Sequence, residues 1–199
     1  METRKTVASS VDGVVLAAGL STRAGQFKLA MKLGDKTLIE HAIAGMYPVV
    51  DRVIVVGGYR CDLIRDILRG YERVEVVFNE RYAAGMFTSI KTGLRYVTAE
   101  RFFLLPGDHP LVGEEVYRRL LAESAPVVRP AHRGYKGHPL LMDSRFIPAI
   151  LAEPDSANLR DFIRTVGFRT VEVGDERIFL DVDTAADYEA AKRAYDHEH

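Results

Sequence analysis

The chain alternates short β-rich apolar runs with segments of helical period, the pattern of βα units that build a mainly parallel sheet. The apolar runs predict strands at Gly13–Leu16, Arg52–Val56, Val74–Phe78 and Arg101–Leu105. Between them, apolar residues at i, i+3 and i+4 predict helices near Thr37–Met46, Cys61–Leu68 and Met86–Tyr96. The expected fold is α/β, a doubly wound and mainly parallel sheet with helices on both faces.

The second half begins with a helix near Glu114–Ala122 and then breaks into Pro-bounded pieces: Pro126–Pro130, a turn-rich Arg133–Pro139, and Leu140–Met142. Two short helices are expected near Arg145–Ala152 and Asn158–Thr165. Arg169–Val173 and Ile178–Leu180 flank the turn Gly174-Asp175-Glu176 and predict a hairpin. A last helix runs from Ala185 to about Tyr195, with Thr184 and Asp187 at capping-box spacing. No repeat, low-complexity tract or long linker divides the 199 residues. The expectation is one domain, 1–199, with halves at about 11–110 and 111–199.

Charge narrows the function. Twenty-seven Lys and Arg stand against 28 Asp and Glu, a net charge of -1, so there is no whole-molecule field for nucleic acid or an anionic membrane. The one cysteine, Cys61, excludes an intramolecular disulfide and a cysteine-rich zinc site, and fits a reducing cytoplasm. The N-terminal residues carry no apolar signal core, and no apolar run reaches the length of a membrane helix. A soluble, unprocessed, cytoplasmic protein is expected.

In an open parallel sheet, ligands bind beyond the carboxyl ends of the strands, where loop amides and helix N-termini converge. The first strand leads into the loop from Leu16 to Lys28. Its small residues Ala17, Ala18 and Gly19 let a bulky ligand approach the backbone, and its amides can form an anion nest. Arg23, Lys28 and Lys32 are basic, and no acidic residue occurs from Gly13 to Gly34. Glycine and alanine content alone fits a plain surface loop equally well. Arg23, Gly25 and Lys28 at these offsets after a strand favour phosphate. A Walker A loop is excluded, since Ala24 stands five places after Gly19; so is Gly-x-Gly-x-x-Gly, since Ala17 stands two places before it.

The fourth strand leads into Pro106-Gly107-Asp108-His109-Pro110. Asp108 reads as a turn aspartate on composition alone. A carboxylate beside a phosphate site calls for an intervening cation, and magnesium takes both kinds of oxygen. Asp181-Val182-Asp183-Thr184 offers a second carboxylate, because Asp181 and Asp183 share a face of an extended segment. Taken alone, that stretch is better read as the cap of the last helix. Ser124–Met142 is also free of acidic residues and holds Arg129, Arg133, Lys136, His132 and His138, a second basic patch suited to an anionic co-substrate.

Together these motifs resemble the MobA-like nucleotidyltransferases, and within them the molybdenum cofactor cytidylyltransferase branch. The resemblance rests on Leu-Ala-Ala-Gly-x-Ser-x-Arg-x-Gly-x-x-Lys at Leu16–Lys28, Gly107–Pro110, Gly137-His138-Pro139 and Asp181–Thr184, with Val55–Arg60 and Asn79–Ile90 between them. It spans roughly Val11 to Tyr195. Ala24 and Lys32 depart from the family pattern, which has Met at the first position and commonly Pro at the second.

The resemblance implies a Rossmann-like nucleotide-diphospho-sugar transferase fold, with residues 11–110 as a nucleotide half and 111–199 as an acceptor half. It implies that the backbone around Leu16–Gly19 and Gly25 holds the nucleotide, with Arg23 and Lys28 on its phosphates. Gly57, Asn79, Gly85 and Ser89 would line the base and ribose pocket, and Gly137, His138 and Pro139 would face the acceptor. Asp108 and Asp183 would hold magnesium, with Asp181 as a helper. The implied reaction moves CMP from CTP to a molybdopterin-type cofactor and releases pyrophosphate, with Arg23, Lys28 and Asp108 as its catalytic groups. A molybdenum-hydroxylase maturation protein or target apoenzyme would be the protein partner. Two alternatives stand beside it. One is a nucleotidyltransferase for another acceptor, either a GTP-using guanylyltransferase or a sugar- or polyol-phosphate cytidylyltransferase. The other is a non-catalytic nucleotide-binding protein for cofactor delivery.

Overall fold

A computed structural model describes residues 10–19 and 27–197. In chain order the elements are β1 (Val11–Ala17), β2 (Lys32–Leu33), β3 (Lys36–Thr37), α1 (Leu38–Ala44), β4 (Arg52–Gly57), α2 (Cys61–Leu68), β5 (Val74–Phe78), α3 (Met86–Leu94) and β6 (Arg101–Pro106). They continue with α4 (Glu114–Leu121), β7 (Val127–His132), β8 (Tyr135–Lys136), β9 (Leu140–Asp143), α5 (Ile147–Ala152), α6 (Leu159–Val166), β10 (Arg169–Glu172) and α7 (Ala185–Asp196).

The main sheet has the order β10-β7-β9-β6-β1-β4-β5, with β8 beside β7. Strands β5, β4, β1 and β6 are mutually parallel, and β7 and β10 form a second parallel pair. Strand β9 lies between them antiparallel to both β6 and β7, so one sheet runs through both halves of the chain. The unbroken apolar runs of β1, β4 and β6 follow from burial on both faces. Val15, Val55, Phe103 and Leu105 face α1, α2 and α4, while Val14, Ile54, Val56 and Phe102 face α3, α5 and α6. Helix α3 can lie directly on the sheet because residue 93 is glycine. A Cβ there would stand 2.6 Å from Val14 Cγ1 and 2.9 Å from Val56 Cγ2. At the start of β1 the Asp12 carboxylate is only 2% exposed, yet it accepts the Thr98 and Ala99 amides and pairs with Arg52. Its charge is thereby compensated where burial alone is costly.

Several boundaries differ from the sequence expectation for identifiable reasons. Helix α1 begins one residue late because Thr37 is its N-cap, in a full capping box with Glu40. Helix α3 ends at Leu94, and the helix expected from Arg145 opens with a 3-10 turn over Ser144–Phe146. The Pro126–Pro130 piece is the strand β7, which runs through Pro130 to His132. The expected hairpin of Arg169–Val173 with Ile178–Leu180 does not form. Strand β10 pairs in parallel with the free edge of β7 instead, and Glu176–Phe179 winds into a 3-10 turn. Asp175 drives that choice by accepting the Arg177 amide and ion-pairing with its guanidinium, while Ile178 turns inward against Gly137.

From β1 the chain steps outward to β4 and β5 and then returns to place β6 on the other side of β1. The crevice for a ligand therefore opens beyond the carboxyl ends of β1 and β6.

Candidate active site

A cavity of about 780 Å³ occupies that crevice. Two backbone hydrogen bonds join the three loops around it. The Gly107 amide donates to Leu16 O at 2.8 Å, and the Val182 amide donates to Asp108 O at 2.9 Å. The second bond sets Asp183 beside Asp108 although the two are far apart in sequence. At the start of α7 the capping work falls to Thr184, whose hydroxyl accepts the Asp187 amide, while the Asp187 carboxylate accepts the Thr184 and Asp183 amides. The Asp183 carboxylate is left to face the cavity, so the capping alternative for this stretch belongs to Thr184.

The two carboxylates meet on one ammonium group. Lys28 Nζ lies 3.1 Å from Asp108 Oδ2 and 2.9 Å from Asp183 Oδ1. Burial works against a charge on Lys28, but the two carboxylates outweigh it and raise its pKa. Burial likewise pushes the Asp108 carboxyl up, and it is overcome by the hydrogen bond from His109 and the Lys28 charge, which hold it down at about 2. Asp108 is thus an anion throughout the neutral range. Among the described residues no group of three or more His, Cys, Asp or Glu could cage a metal. Two convergent carboxylates at the rim of an open cavity suit a hard divalent cation that completes its shell with ligand phosphates and water. The donor set therefore fits magnesium or a similar ion, with Lys28 occupying the space between the carboxylates.

A family profile for the MobA-like NTP transferase domain matches residues 13–173. The chain belongs to the MobA-like NTP transferase family. It is 29% identical over 188 residues to the molybdenum cofactor cytidylyltransferase of Escherichia coli (strain K12), covering 94% of this chain and 98% of that one. Among solved structures, a homologue of Mycobacterium tuberculosis Rv0371c from Mycobacterium sp. strain JC1 superposes with a TM-score of 0.81 at 27% identity, over 95% of this chain and 98% of the other. Rv0371c itself, in complex with manganese, gives a TM-score of 0.76 at 22% identity, over 94% and 100% of the two chains. The protein is a nucleotidyltransferase.

The transferase brings together Leu16, Ala17, Ala18, Gly19 and Lys28 from the first loop with Asp108 and Asp183 around the cavity. Arg23 and Gly25 lie outside the described residues. Gly85 and Ser89 also line the cavity, but Gly57 and Asn79 do not. Gly57 packs against Cys61, where a Cβ would stand 2.4 Å from Sγ, so this position serves the fold. Asn79 is 3% exposed and stands behind Ser89 with all its bonds made inside the protein. Asp181 is exposed and does not line the cavity, because the Val182 to Asp108 bond turns only residue 183 toward it.

Gly137, His138 and Pro139 are not part of the cavity wall either. Gly137 is held against Ile178, 2.6 Å from where its Cβ would be, and the His138 amide donates to Ile178 O. The His138 ring packs edge-on against His109, centroids 4.6 Å apart, and His109 Nδ1 lies 3.0 Å from Asp108 Oδ1. Burial, helped by the nearby His109 and Arg129, pushes His138 down to about 3, so it is neutral at physiological pH.

The sequence reading did not single out Tyr82, Met86 or Tyr188, which complete the wall. Tyr188 follows Thr184 by four residues on α7, a helical spacing that could have found it. Tyr82 and Met86 lie inside the Asn79–Ile90 segment. Met86 is 64% exposed at the cavity lip, and Tyr82 packs over Gly58, where a Cβ would stand 2.6 Å from the tyrosine Cβ.

Proposed function

We propose that this nucleotidyltransferase transfers CMP from CTP to the terminal phosphate of a molybdopterin-type cofactor, with magnesium, and releases pyrophosphate. The observation that carries this reading is the convergence of Asp108 and Asp183 on Lys28 in the wall of a cavity also lined by the small Ala17–Gly19 backbone. The near full-length similarity to a molybdenum cofactor cytidylyltransferase favours this nucleotide and acceptor over the alternatives. A fold neighbour found with manganese is in keeping with a divalent requirement.

In this reading the loop amides of residues 16–19, with Arg23 and Gly25, hold the triphosphate, and Gly85 and Ser89 bound the base and ribose. Asp108 and Asp183 would hold the cation, which would supply positive charge toward the phosphates. The Lys28 ammonium, paired with both carboxylates in this structure, is placed to stabilise the charge that develops at the α-phosphate. The nucleophile needs no general base, since a phosphate monoester has a second pKa near 6 and is already anionic. Its oxygen attacks the α-phosphorus in line, a new P–O bond forms, and the bond to the β-phosphate breaks to release pyrophosphate. Residues 11–110 supply most of the nucleotide half, and 111–199 the acceptor half, where the Gly137–Pro139 turn communicates with Asp108 through His109. The buried, free Cys61 fits a reducing cytoplasm.

The test is pyrophosphate release from CTP with magnesium and molybdenum cofactor, measured on the wild type and on Asp108→Ala. Turnover in the first and none in a folded second supports the reading. Near-normal turnover of Asp108→Ala rejects the metal role.

A further inference from the structure

Behind the cavity wall lies a polar network of Asn79, Arg81 and Thr88 that ends on the lining residue Ser89. Asn79, at the end of β5, makes three hydrogen bonds. Its Oδ1 accepts the Arg81 amide at 3.0 Å, and its Nδ2 donates to Thr88 Oγ1 and Ser89 Oγ, both at 3.0 Å. The orientation of this amide is forced. A backbone N–H can only donate, so the end of Asn79 that meets Arg81 is the oxygen, and the end that meets the two hydroxyls is the NH2. Both of its protons are then committed.

A consequence follows for Ser89. Its oxygen is obliged to accept from Asn79, which leaves the hydroxyl proton to be donated elsewhere. Thr88 disposes of its own proton internally, to Gly85 O at 2.8 Å or Arg81 O at 3.0 Å. Ser89 Oγ donates to no acceptor among the described residues, and Ser89 lines the cavity. The wall therefore holds a hydroxyl proton that has no acceptor among the described residues, so Ser89 is biased toward donating to a ligand by a side chain that does not line the cavity.

We propose that Asn79 is a positioning residue for nucleobase selection, and that the Ser89 hydroxyl it orients donates to the unprotonated ring nitrogen N3 of cytosine. This inference rests on the reading of the cavity as the nucleotide site. Uracil has the same size but carries a proton at that nitrogen, so Ser89 could meet it only with its second lone pair, leaving its own proton without an acceptor among the described residues. Such a buried mismatch corresponds to a discrimination of about ten- to a hundred-fold between the two pyrimidines. Asparagine at position 79 is thus worth more than the fold requires, because aspartate would occupy the same space with the opposite polarity.

The experiment measures kcat/KM for CTP and UTP with molybdenum cofactor as acceptor, and the Kd of each nucleotide with magnesium, for the wild type and for Ser89→Ala, Asn79→Asp and Thr88→Val. The wild type is expected to favour CTP by at least about ten-fold. Ser89→Ala is expected to bring the ratio near one by weakening CTP. Asn79→Asp lets Ser89 donate to the carboxylate and present a lone pair to the base, so its ratio is expected to fall to one or below through improved UTP binding. Thr88→Val loosens the same network without altering Ser89, and its ratio is expected to stay at the wild-type value. A mere structural role for Asn79 would instead lower both nucleotides together and leave the ratio unchanged. Should Asn79→Asp not fold, Ser89→Ala still decides, since it removes one oxygen. A wild type that prefers CTP while Ser89→Ala keeps the full ratio overturns this inference and leaves the proposed function intact. A wild type that uses UTP as well as CTP also overturns it. A wild type that releases pyrophosphate from no nucleotide rejects the proposed function itself.

Discussion

Lys28→Met removes the charge on which Asp108 and Asp183 converge, and the structure fixes both the size and the pH dependence of the effect. The Asp108 carboxyl falls from 3.8 to about 2, against the opposing push of burial, through His109 and Lys28 acting together. A fall of about 1.8 corresponds to roughly 2 kcal/mol of stabilisation at neutral pH. Lys28 supplies part of it, and its pair with the half-exposed Asp183 adds little because solvent screens it. Allowing for the burial penalty that the lysine no longer incurs, the loss is about 1–2 kcal/mol, or roughly 2–8 °C in Tm for a chain of this length. Because the folded-state pKa is depressed, this stabilisation is complete above about pH 4 and disappears as pH falls toward 2. Thermal melts of wild type and variant at pH 7, 4 and 2.5 should therefore show a gap that closes on acidification. Magnesium should restore the Tm of the variant more than that of the wild type, since the ion no longer competes with the ammonium. Turnover should drop by about 10²- to 10³-fold, the usual cost of losing one preorganised charge at the reacting phosphate. A Tm gap that stays constant across the pH range would show that Lys28 acts by packing, and ordinary turnover in the variant would remove it from the chemistry.

Other outcomes follow from the same geometry. Asp108→Ala should abolish pyrophosphate release while the far-UV circular dichroism spectrum is unchanged, and chelation of divalent ions should abolish the wild-type reaction in the same assay. Gly93→Ala should destabilise by about 1–2 kcal/mol in urea unfolding, although alanine in an open helix would stabilise by about 1 kcal/mol, because its Cβ would lie 2.6 Å from Val14 Cγ1. A stabilised Gly93→Ala protein would mean that α3 stands further from the sheet.

Much of this was legible in the sequence because local and global signals agreed. The apolar runs that become β1, β4 and β6 are paired on both sides and largely buried, so their composition states their environment directly, while β5 is legible as the edge strand beside β4. Asp108 stood out because it follows the buried strand β6 into the crevice, whereas Asp183, which alone reads as a cap of the last helix, entered the expected site only through the family resemblance. What the sequence could not show were competitions between equal local choices. Residues 169–180 carry two strand-like runs and a turn, which is a hairpin by chemistry, yet the open edge of β7 and the Asp175 to Arg177 pair offered β10 a better partner. Asn79 likewise carries the same residue type whether it touches a ligand or stands behind one. Only its contacts with Arg81, Thr88 and Ser89 show that it is spent inside the wall. Asp181 and Asp183 are equivalent by alternation, and the single bond from Val182 to Asp108 separates them.

In the proposed function, Asp108 after β6, Asp183 before α7 and Lys28 serve a metal-dependent cytidylyl transfer. A pyrophosphate-release assay with each of the four nucleoside triphosphates, with and without molybdenum cofactor and with and without magnesium, tests it most directly. Release that requires CTP, magnesium and the cofactor together is the predicted result. Release with a sugar phosphate in place of the cofactor, release from GTP alone among the four, or none under any condition would contradict it.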